Sequence, residues 1–245
     1  MNICEPCLDR YAIYDSYACR KDKGIRKALA RAHGFMKKNT WFLKLDIAKY
    51  FDSIDHSVML ELLAMRFKDK RLLDLFEKLL STYSTEPDRG VPIGNLISQH
   101  FANHYLSVFD HWIKEELRIK CYLRYMDDFL MFSNDPCFLK SALKEITSFL
   151  DNRLELKLKN DIQLNRCSHG VRFLGYRLVP GKILLSLRSK KRFTRKFRRY
   201  EENYLAGIWD EDNLARHIEP LVDFTRAARA DNFRRHVFSR YGALS

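Results

Sequence analysis

The stretch that most limits what this chain can become is Leu123-Arg124-Tyr125-Met126-Asp127-Asp128-Phe129-Leu130-Met131-Phe132. Two adjacent carboxylates separate two short apolar runs, Cys121 to Met126 and Phe129 to Phe132, each rich in bulky and aromatic residues. Such runs read as strands of a hairpin, with the Asp pair at or beside the turn. Asp is also a common turn residue, and that plain reading stands beside a functional one. Two like charges side by side repel unless a cation lies between them. An apolar hairpin with two carboxylates at its tip is therefore a candidate platform for a divalent metal.

Such a metal needs further ligands. Thr40 to Ile47 has the pattern of a strand and ends on the lone Asp46, a charge that is costly to bury without a partner. Phe51 to His56 turns the chain, and Asp55 is a natural N-cap for a helix beginning near Ser57. One Asp ending an early strand and two in a later hairpin, joined through helices, can converge in a split β-α-β sheet. Three carboxylates at a strand-end face, flanked by basic surface, suit a two-magnesium site. One ion there activates an attacking hydroxyl and the other neutralises a leaving phosphate. A nuclease uses the same logic, so the carboxylates alone leave the reaction open.

The charge balance narrows the partner. Across 245 residues the formal net charge is +13, with 46% hydrophobic and 13% aromatic residues. That is a globular chain of one to two domains with an excess of positive charge. The excess points to a polyanion, nucleic acid before an anionic membrane surface, although basic proteins also exist that merely stay soluble. Between Arg188 and Arg199, eight of twelve residues are basic: Arg188, Lys190, Lys191, Arg192, Arg195, Lys196, Arg198 and Arg199. Phe193, Phe197 and Tyr200 recur at helical spacing, so this is an amphipathic helix with a basic outer face suited to a nucleic-acid backbone. Helices expected over about 211–219 and 221–238 add Arg226, Arg229, Arg234 and Arg235. A second basic segment, Cys19 to Gly24 with Arg20 and Lys21, is either a solvated loop or a clamp for phosphates.

Six cysteines follow no framework, and Cys4-x-x-Cys7 lacks a second pair at matching distance. Cys121 and Cys137 lie in apolar surroundings and read as small core residues. The longest uncharged stretch, Gly90 to Phe109, is too polar to span a bilayer, and the N-terminus has no basic-then-apolar signal segment. A reducing, cytoplasmic location without membrane contact is expected.

Elsewhere the pattern predicts helices over 25–35, about 57–67 and 70–83, and a long helix to about Leu117 from the spacing of Ile97, Phe101, Tyr105, Val108 and Trp112. A helix over 136–150, a strand from the alternation Leu154, Leu156, Leu158, and a hairpin across Pro180-Gly181 complete the order. Gly94 lets backbone approach a ligand closely, and Ser98 and Gln99 either cap the helix after it or face an anion. The single composition shift lies near Ser186.

Taken together, Leu45-Asp46-Ile47-Ala48-Lys49-Tyr50-Phe51, Gly90 to Gln99, Tyr125-Met126-Asp127-Asp128 and Phe173-Leu174-Gly175-Tyr176 have the order and spacing of reverse transcriptase motifs. The resemblance covers about residues 11–190 and is specific as a set. It implies an RNA-directed DNA polymerase of α+β class and right-hand architecture. The expected parts are partial fingers (1–40), an antiparallel split β-α-β palm (41–186, with fingers-side helices) and a helical thumb (187–245). In that resemblance Asp46, Asp127 and Asp128 match the catalytic, metal-binding carboxylates for two Mg2+ ions, with Mn2+ as an alternative, and the Ile47 carbonyl adds a backbone ligand. Phe51 matches the steric gate, whose ring fills the space of a ribose 2′-hydroxyl and so selects by clash. Arg20, Lys21, Ile93, Gly94, Gln99 and Lys159 match residues around the incoming dNTP, Lys159 assisting pyrophosphate departure. Phe173, Leu174, Gly175 and Tyr176 resemble the primer grip, and the basic 188–199 face the thumb's hold on the hybrid. The implied partners are an RNA template, a DNA or RNA primer and dNTPs.

Within the family, Ile93-Gly94-Asn95-Leu96-Ile97-Ser98-Gln99 most resembles diversity-generating retroelement enzymes. Retroviral enzymes carry Gln where Ile93 stands, and group II intron and retron enzymes usually carry Pro where Gln99 stands. An apolar Ile93 gives up a hydrogen-bonding readout of the nucleotide, which fits error-prone copying of template adenines. The same resemblance implies a basic accessory protein of the retroelement as partner. Ile93 is alternatively a mark of lineage. An intron- or retron-type polymerase, and a shortened, inactive RNA-binding palm, are the competing readings.

Overall fold

The computed structural model describes residues 3–242, and the chain divides into two compact units between Arg166 and Cys167. In the first unit the order is α1 (Glu5–Tyr11), α2 (Ile25–Lys38), β1 (Trp41–Asp46), α3 (His56–Arg66), α4 (Lys70–Ser81), α5 (Leu96–Tyr105), α6 (Ser107–Glu115), β2 (Tyr122–Tyr125), β3 (Asp128–Ser133), α7 (Pro136–Leu154) and β4 (Gln163–Arg166). The strands make one antiparallel sheet in the order β2-β3-β1-β4. Strand β1 carries apolar residues on both faces, with Phe42 on one and Leu43 and Leu45 on the other, all buried, which suits it to an inner position. Below the sheet, Leu43, Leu45, Phe129 and Met131 pack with Phe109 and Ile113 of α6 and with Leu139, Ile146 and Leu150 of α7. Above it, Phe132 meets Phe35 of α2, ring centroids 6.1 Å apart.

Asp55, Asp69, Asn95 and Asp135 cap α3, α4, α5 and α7, each accepting from a backbone N–H of the first turn. Asp55 takes the Val58 N–H at 3.0 Å, as its position predicts.

Three expectations need correction in this unit. The long helix to Leu117 is broken at Leu106 into α5 and α6. The Asn103 carbonyl there accepts both Ser107 Oγ and Arg124 Nη2, each at 3.1 Å, and such side-chain competition for an i−4 carbonyl bends helices. The alternation Leu154-Leu156-Leu158 is not a strand. Helix α7 runs on to Leu154 and ends at Glu155, φ +51°, with the Leu156 N–H returning to the Leu150 carbonyl at 2.9 Å. Only Leu158 pairs, in an isolated bridge to Ile47, and the fourth strand is the polar β4 instead. Cys137 is exposed, because the core face of α7 is Leu139, Ala142, Ile146, Leu150 and Leu154.

The second unit contains β5 (Val171–Phe173), β6 (Tyr176–Val179), β7 (Lys182–Leu185), α8 (Leu187–Leu205), α9 (Glu211–Thr225) and α10 (Asp231–Tyr241). Its strands form an antiparallel meander, β5-β6-β7. Phe193, Phe197 and Val237 are its core, with Ile218, Leu221, Phe233 and Phe238 packed against them. Helix α9 passes through Pro220, where a helix boundary is expected. Ile218 and Leu221, anchored in that core on either side, keep the turn despite the missing N–H. The packing division precedes the composition shift at Ser186 because the β5–β7 meander is bonded to the start of α8: Ser186 N–H and Ser189 Oγ both donate to the Gly175 carbonyl, at 3.1 and 2.6 Å. Among the described residues no helix is long and apolar enough to cross a membrane.

Candidate active site

Asp46 ends β1, Asp128 begins β3, and the register sets them directly opposite each other, with Asp127 in the turn before β3. Side chains at paired positions share a face of the sheet, so like charges meet. Burial raises the Asp127 carboxyl above its ordinary value, and the charge of Asp46 raises it further. Burial also pushes Asp128 up to about 7, with Lys44 opposing the shift and Asp46 and Asp127 adding to it. Lys159 Nζ donates to Asp46 Oδ1 at 2.7 Å. Lys44 Nζ stands 3.0 Å from Asp128 Oδ1 as an ion pair without hydrogen-bond geometry, leaving that buried oxygen with no donor. Sequence reasoning missed Lys44. The signal was its spacing, two residues before Asp46 and therefore on the same face of β1.

Among the described residues no three His, Cys, Asp or Glu side chains are already gathered as a cage for a metal. The donor chemistry nevertheless fits a hard divalent cation. The donors are carboxylate oxygens, one of them is buried without a hydrogen-bond donor, and burial, with neighbouring charge, has weakened two of the acids. Asp46, Asp127 and Asp128 would hold such an ion. Ile47 lies next along the chain, fully buried in its bridge to Leu158, while the Asp46 carbonyl already accepts the Lys159 N–H at 2.8 Å.

Phe51 sits in a one-turn 3-10 helix (Tyr50–Ser53), half-buried and edge-on to Tyr50 at 5.7 Å. The Val91 N–H reaches the Phe51 carbonyl at 2.9 Å and the Gly90 N–H the Ile54 carbonyl at 2.8 Å, so the loop leading to Ile93 docks on the Phe51 segment. Ile93 is 74% exposed. Gly94 has φ +95° with open space around its Cα, so a side chain there would meet backbone strain rather than a neighbour. Gln99 Oε1 accepts Cys19 Sγ at 3.2 Å, tying α5 to the basic turn. In that turn Lys21 is exposed, whereas the Arg20 guanidinium is held inside by Asp9 and by the Ile13 and Ser16 carbonyls at 2.6 and 3.0 Å. The structure thus gathers Asp46, Asp127, Asp128 and Lys159, sets the Ile93 loop on Phe51, and engages Arg20 with the protein itself.

In the second unit, Phe173 and Tyr176 pair across a turn whose residues Leu174 and Gly175 both have positive φ, +51° and +85°. A Cβ on Gly175 would lie 3.0 Å from both Phe224 and Ser189, so the tight approach requires glycine. On α8, Phe193, Phe197 and Tyr200 are buried, while Arg188, Lys191, Arg192, Arg195, Arg198 and Arg199 are exposed and Lys190 and Lys196 are half-buried.

Residues 3–178 match the family described as Reverse transcriptase (RNA-dependent DNA polymerase). The COX1/OXI3 intron 1 protein of Saccharomyces cerevisiae is 27% identical over 125 residues, 48% of this chain. The group II intron-encoded protein LtrA of Lactococcus lactis subsp. cremoris is 32% identical over 109 residues, 40% of this chain. The matches span only 15% and 17% of those two proteins. Telomerase from Candida tropicalis, solved in complex with a TWJ fragment of telomeric RNA, superposes with a TM-score of 0.60 at 11% identity, over 99% of this chain and 47% of its own. That likeness concerns the fold, which is the mixed helix and antiparallel sheet of a right-hand polymerase.

Proposed function

The chain belongs to the reverse transcriptase (RNA-dependent DNA polymerase) family, and on that premise we propose that it extends a DNA or RNA primer with dNTPs on an RNA template. The observation that carries this reading is the register of Asp46 against Asp128, with Asp127 beside them and two acids raised by burial and mutual charge. Such crowding costs stability and suits a site that accepts cations. Magnesium, or manganese, bound by Asp46, Asp127, Asp128 and the Ile47 carbonyl supplies Lewis acidity for nucleotidyl transfer. The chain's own groups do the rest. Lys159, bonded to Asp46, gives a proton or a charge to departing pyrophosphate in this reading. The half-buried ring of Phe51 excludes a 2′-hydroxyl. The basic face of α8 grips nucleic-acid backbone as part of a thumb over 187–245, following a palm over 41–186 and partial fingers over 1–40.

The finer reading is a diversity-generating retroelement enzyme, error-prone at template adenines and served by a basic accessory protein. It is supported by exposed, apolar Ile93 beside Gly94, where no polar group on that side chain can check the nucleotide. A group II intron-type polymerase is the second reading, and the likeness to LtrA favours it.

Primer extension on an RNA template with dNTPs and Mg2+ tests the activity. Incorporation should fall by at least about a hundredfold in Asp127→Asn; incorporation indifferent to that change would end the polymerase reading. Sequencing the product separates the finer readings. Errors concentrated opposite adenine and reduced by Ile93→Gln fit the retroelement, and errors spread over all four bases fit the intron type.

A further inference from the structure

Arg124 is fully buried, and so is its partner Asp110 of α6. Its guanidinium makes five hydrogen bonds. Nε and Nη2 donate to the two Asp110 oxygens at 2.8 and 2.5 Å, Nη1 to Asn103 Oδ1 at 2.9 Å, Nη2 to the Asn103 carbonyl at 3.1 Å, and Nη1 to the Met126 carbonyl at 3.1 Å. Met126 is the first residue of the two-residue loop that presents Asp127, and its φ is +56°. That left-handed backbone is usually left to glycine or asparagine and persists only where neighbours over-determine it. Pairing with Phe129 puts Arg124 on the core face of the sheet, opposite the face that carries Asp46 and Asp128.

The backbone of Arg124 is engaged as well. Its N–H donates to the Asp15 carbonyl at 2.9 Å, and its carbonyl accepts the Tyr17 N–H at 3.0 Å. Asn103 Nδ2 donates to the Ala18 carbonyl at 3.0 Å. The Arg124 side chain therefore joins the Asp-bearing turn to the junction of α5 and α6, while its backbone and the Asn103 side chain hold the segment leading into Arg20 and Lys21.

We propose that Arg124 is a positioning residue, whose guanidinium holds the turn of Asp127 and Asp128 in its strained form from beneath the sheet and ties it to the junction of α5 and α6. The effect on rate rests on the polymerase reading; the effect on the turn does not.

The test is Arg124→Lys in the full chain. Lysine keeps the charge beside Asp110 but is a point donor without the fork needed to reach Asp110, Asn103 and Met126 together. Amide hydrogen exchange at residues 126–128, without added metal, should quicken by about tenfold while β1 keeps its protection. In primer extension kcat should fall by about tenfold or more with the dNTP KM nearly unchanged, as for a misplaced catalytic group. Adding Met126→Asn, which accepts positive φ more readily, should restore part of the protection. Unchanged exchange at the turn overturns the proposal, and so does exchange that quickens uniformly over the first unit. Should Arg124→Lys fail to fold, Asn103→Ala keeps the Asp110 pair intact and must show the same selective quickening. A wild-type chain that incorporates no dNTP would sink the polymerase reading while leaving the exchange result to decide this one.

Discussion

Arg124 in the first unit and Arg198 in the second each face a carboxylate, and the two pairs differ in nearly every physical respect. Arg124 and Asp110 have side chains 0% exposed and are locked by two hydrogen bonds. Arg198 and Glu202 are 54% and 65% exposed and stand 3.9 Å apart on successive turns of α8. Desolvation separates the two cases. A buried charge must find fixed partners or the chain does not fold, so its presence dictates where neighbouring groups lie. A solvated charge dictates little about the fold and is free to meet a polyanion. The first unit thus uses charge to set geometry, and the second leaves it in solvent, where the proposed contact with nucleic acid needs it.

The hardest test of this contrast is Asp110→Ala, which leaves Arg124 buried without its counter-charge and Tyr122 Oη without its acceptor at 2.5 Å. The loss in unfolding free energy should be about 3–5 kcal/mol, the range for breaking a buried pair. Urea denaturation measures it. A loss no larger than that of an exposed substitution would erase the distinction between the units.

A comparable effect concerns Asp128, whose charged neighbours are Lys44, Asp46, Asp127 and Lys159. Its folded value of about 7 lies above the 3.8 of a free aspartate, so the folded state holds this proton more tightly than the unfolded chain does. Stability from this group is therefore present at low pH and is lost as pH rises from about 4 through about 7. In chelator, Tm should fall over that window by up to about ten degrees. Divalent cation binding, which needs the ionised carboxylate, should tighten over the same window and release a proton. Calorimetry in buffers of different ionisation heat reads that proton. Asp128→Asn should flatten both trends, and trends that survive it would place the titrating group elsewhere.

The contrast also explains what could be read from the residues alone. The strand ending on Asp46, the Asp127-Asp128 hairpin and the Asp55 cap were legible because local pattern and local chemistry agree there. The basic helix α8 was legible for the same reason, its buried Phe193, Phe197 and Tyr200 and its exposed cations following one period. Burial of a charge has no such signature. Nothing local marks Arg124 as the hidden member of its strand, and with it went the break at Leu106, which depends on Arg124 taking the Asn103 carbonyl. The end of α7 was illegible because its left-handed cap is Glu155 rather than glycine. Strand β4, Gln163–Arg166, has no buried residue to betray it and is fixed only by its pairing with β1.

The smallest expected effect lies on α8, and its smallness is the point. Arg195→Ala removes an exposed cation and should change unfolding free energy by no more than about 0.5 kcal/mol. The same change should weaken RNA binding and lower the slope of log affinity against log salt by about one unit, the contribution of one phosphate contact. Arg195→Lys should restore most of the slope, because a backbone phosphate asks for charge more than for a fork. Filter binding across a salt series with the first unit's residues untouched isolates the term. A slope unmoved by Arg195→Ala would make the positive face of α8 a solvated surface only. A large stability loss would mean that its charges, like Arg124, are doing the work of packing.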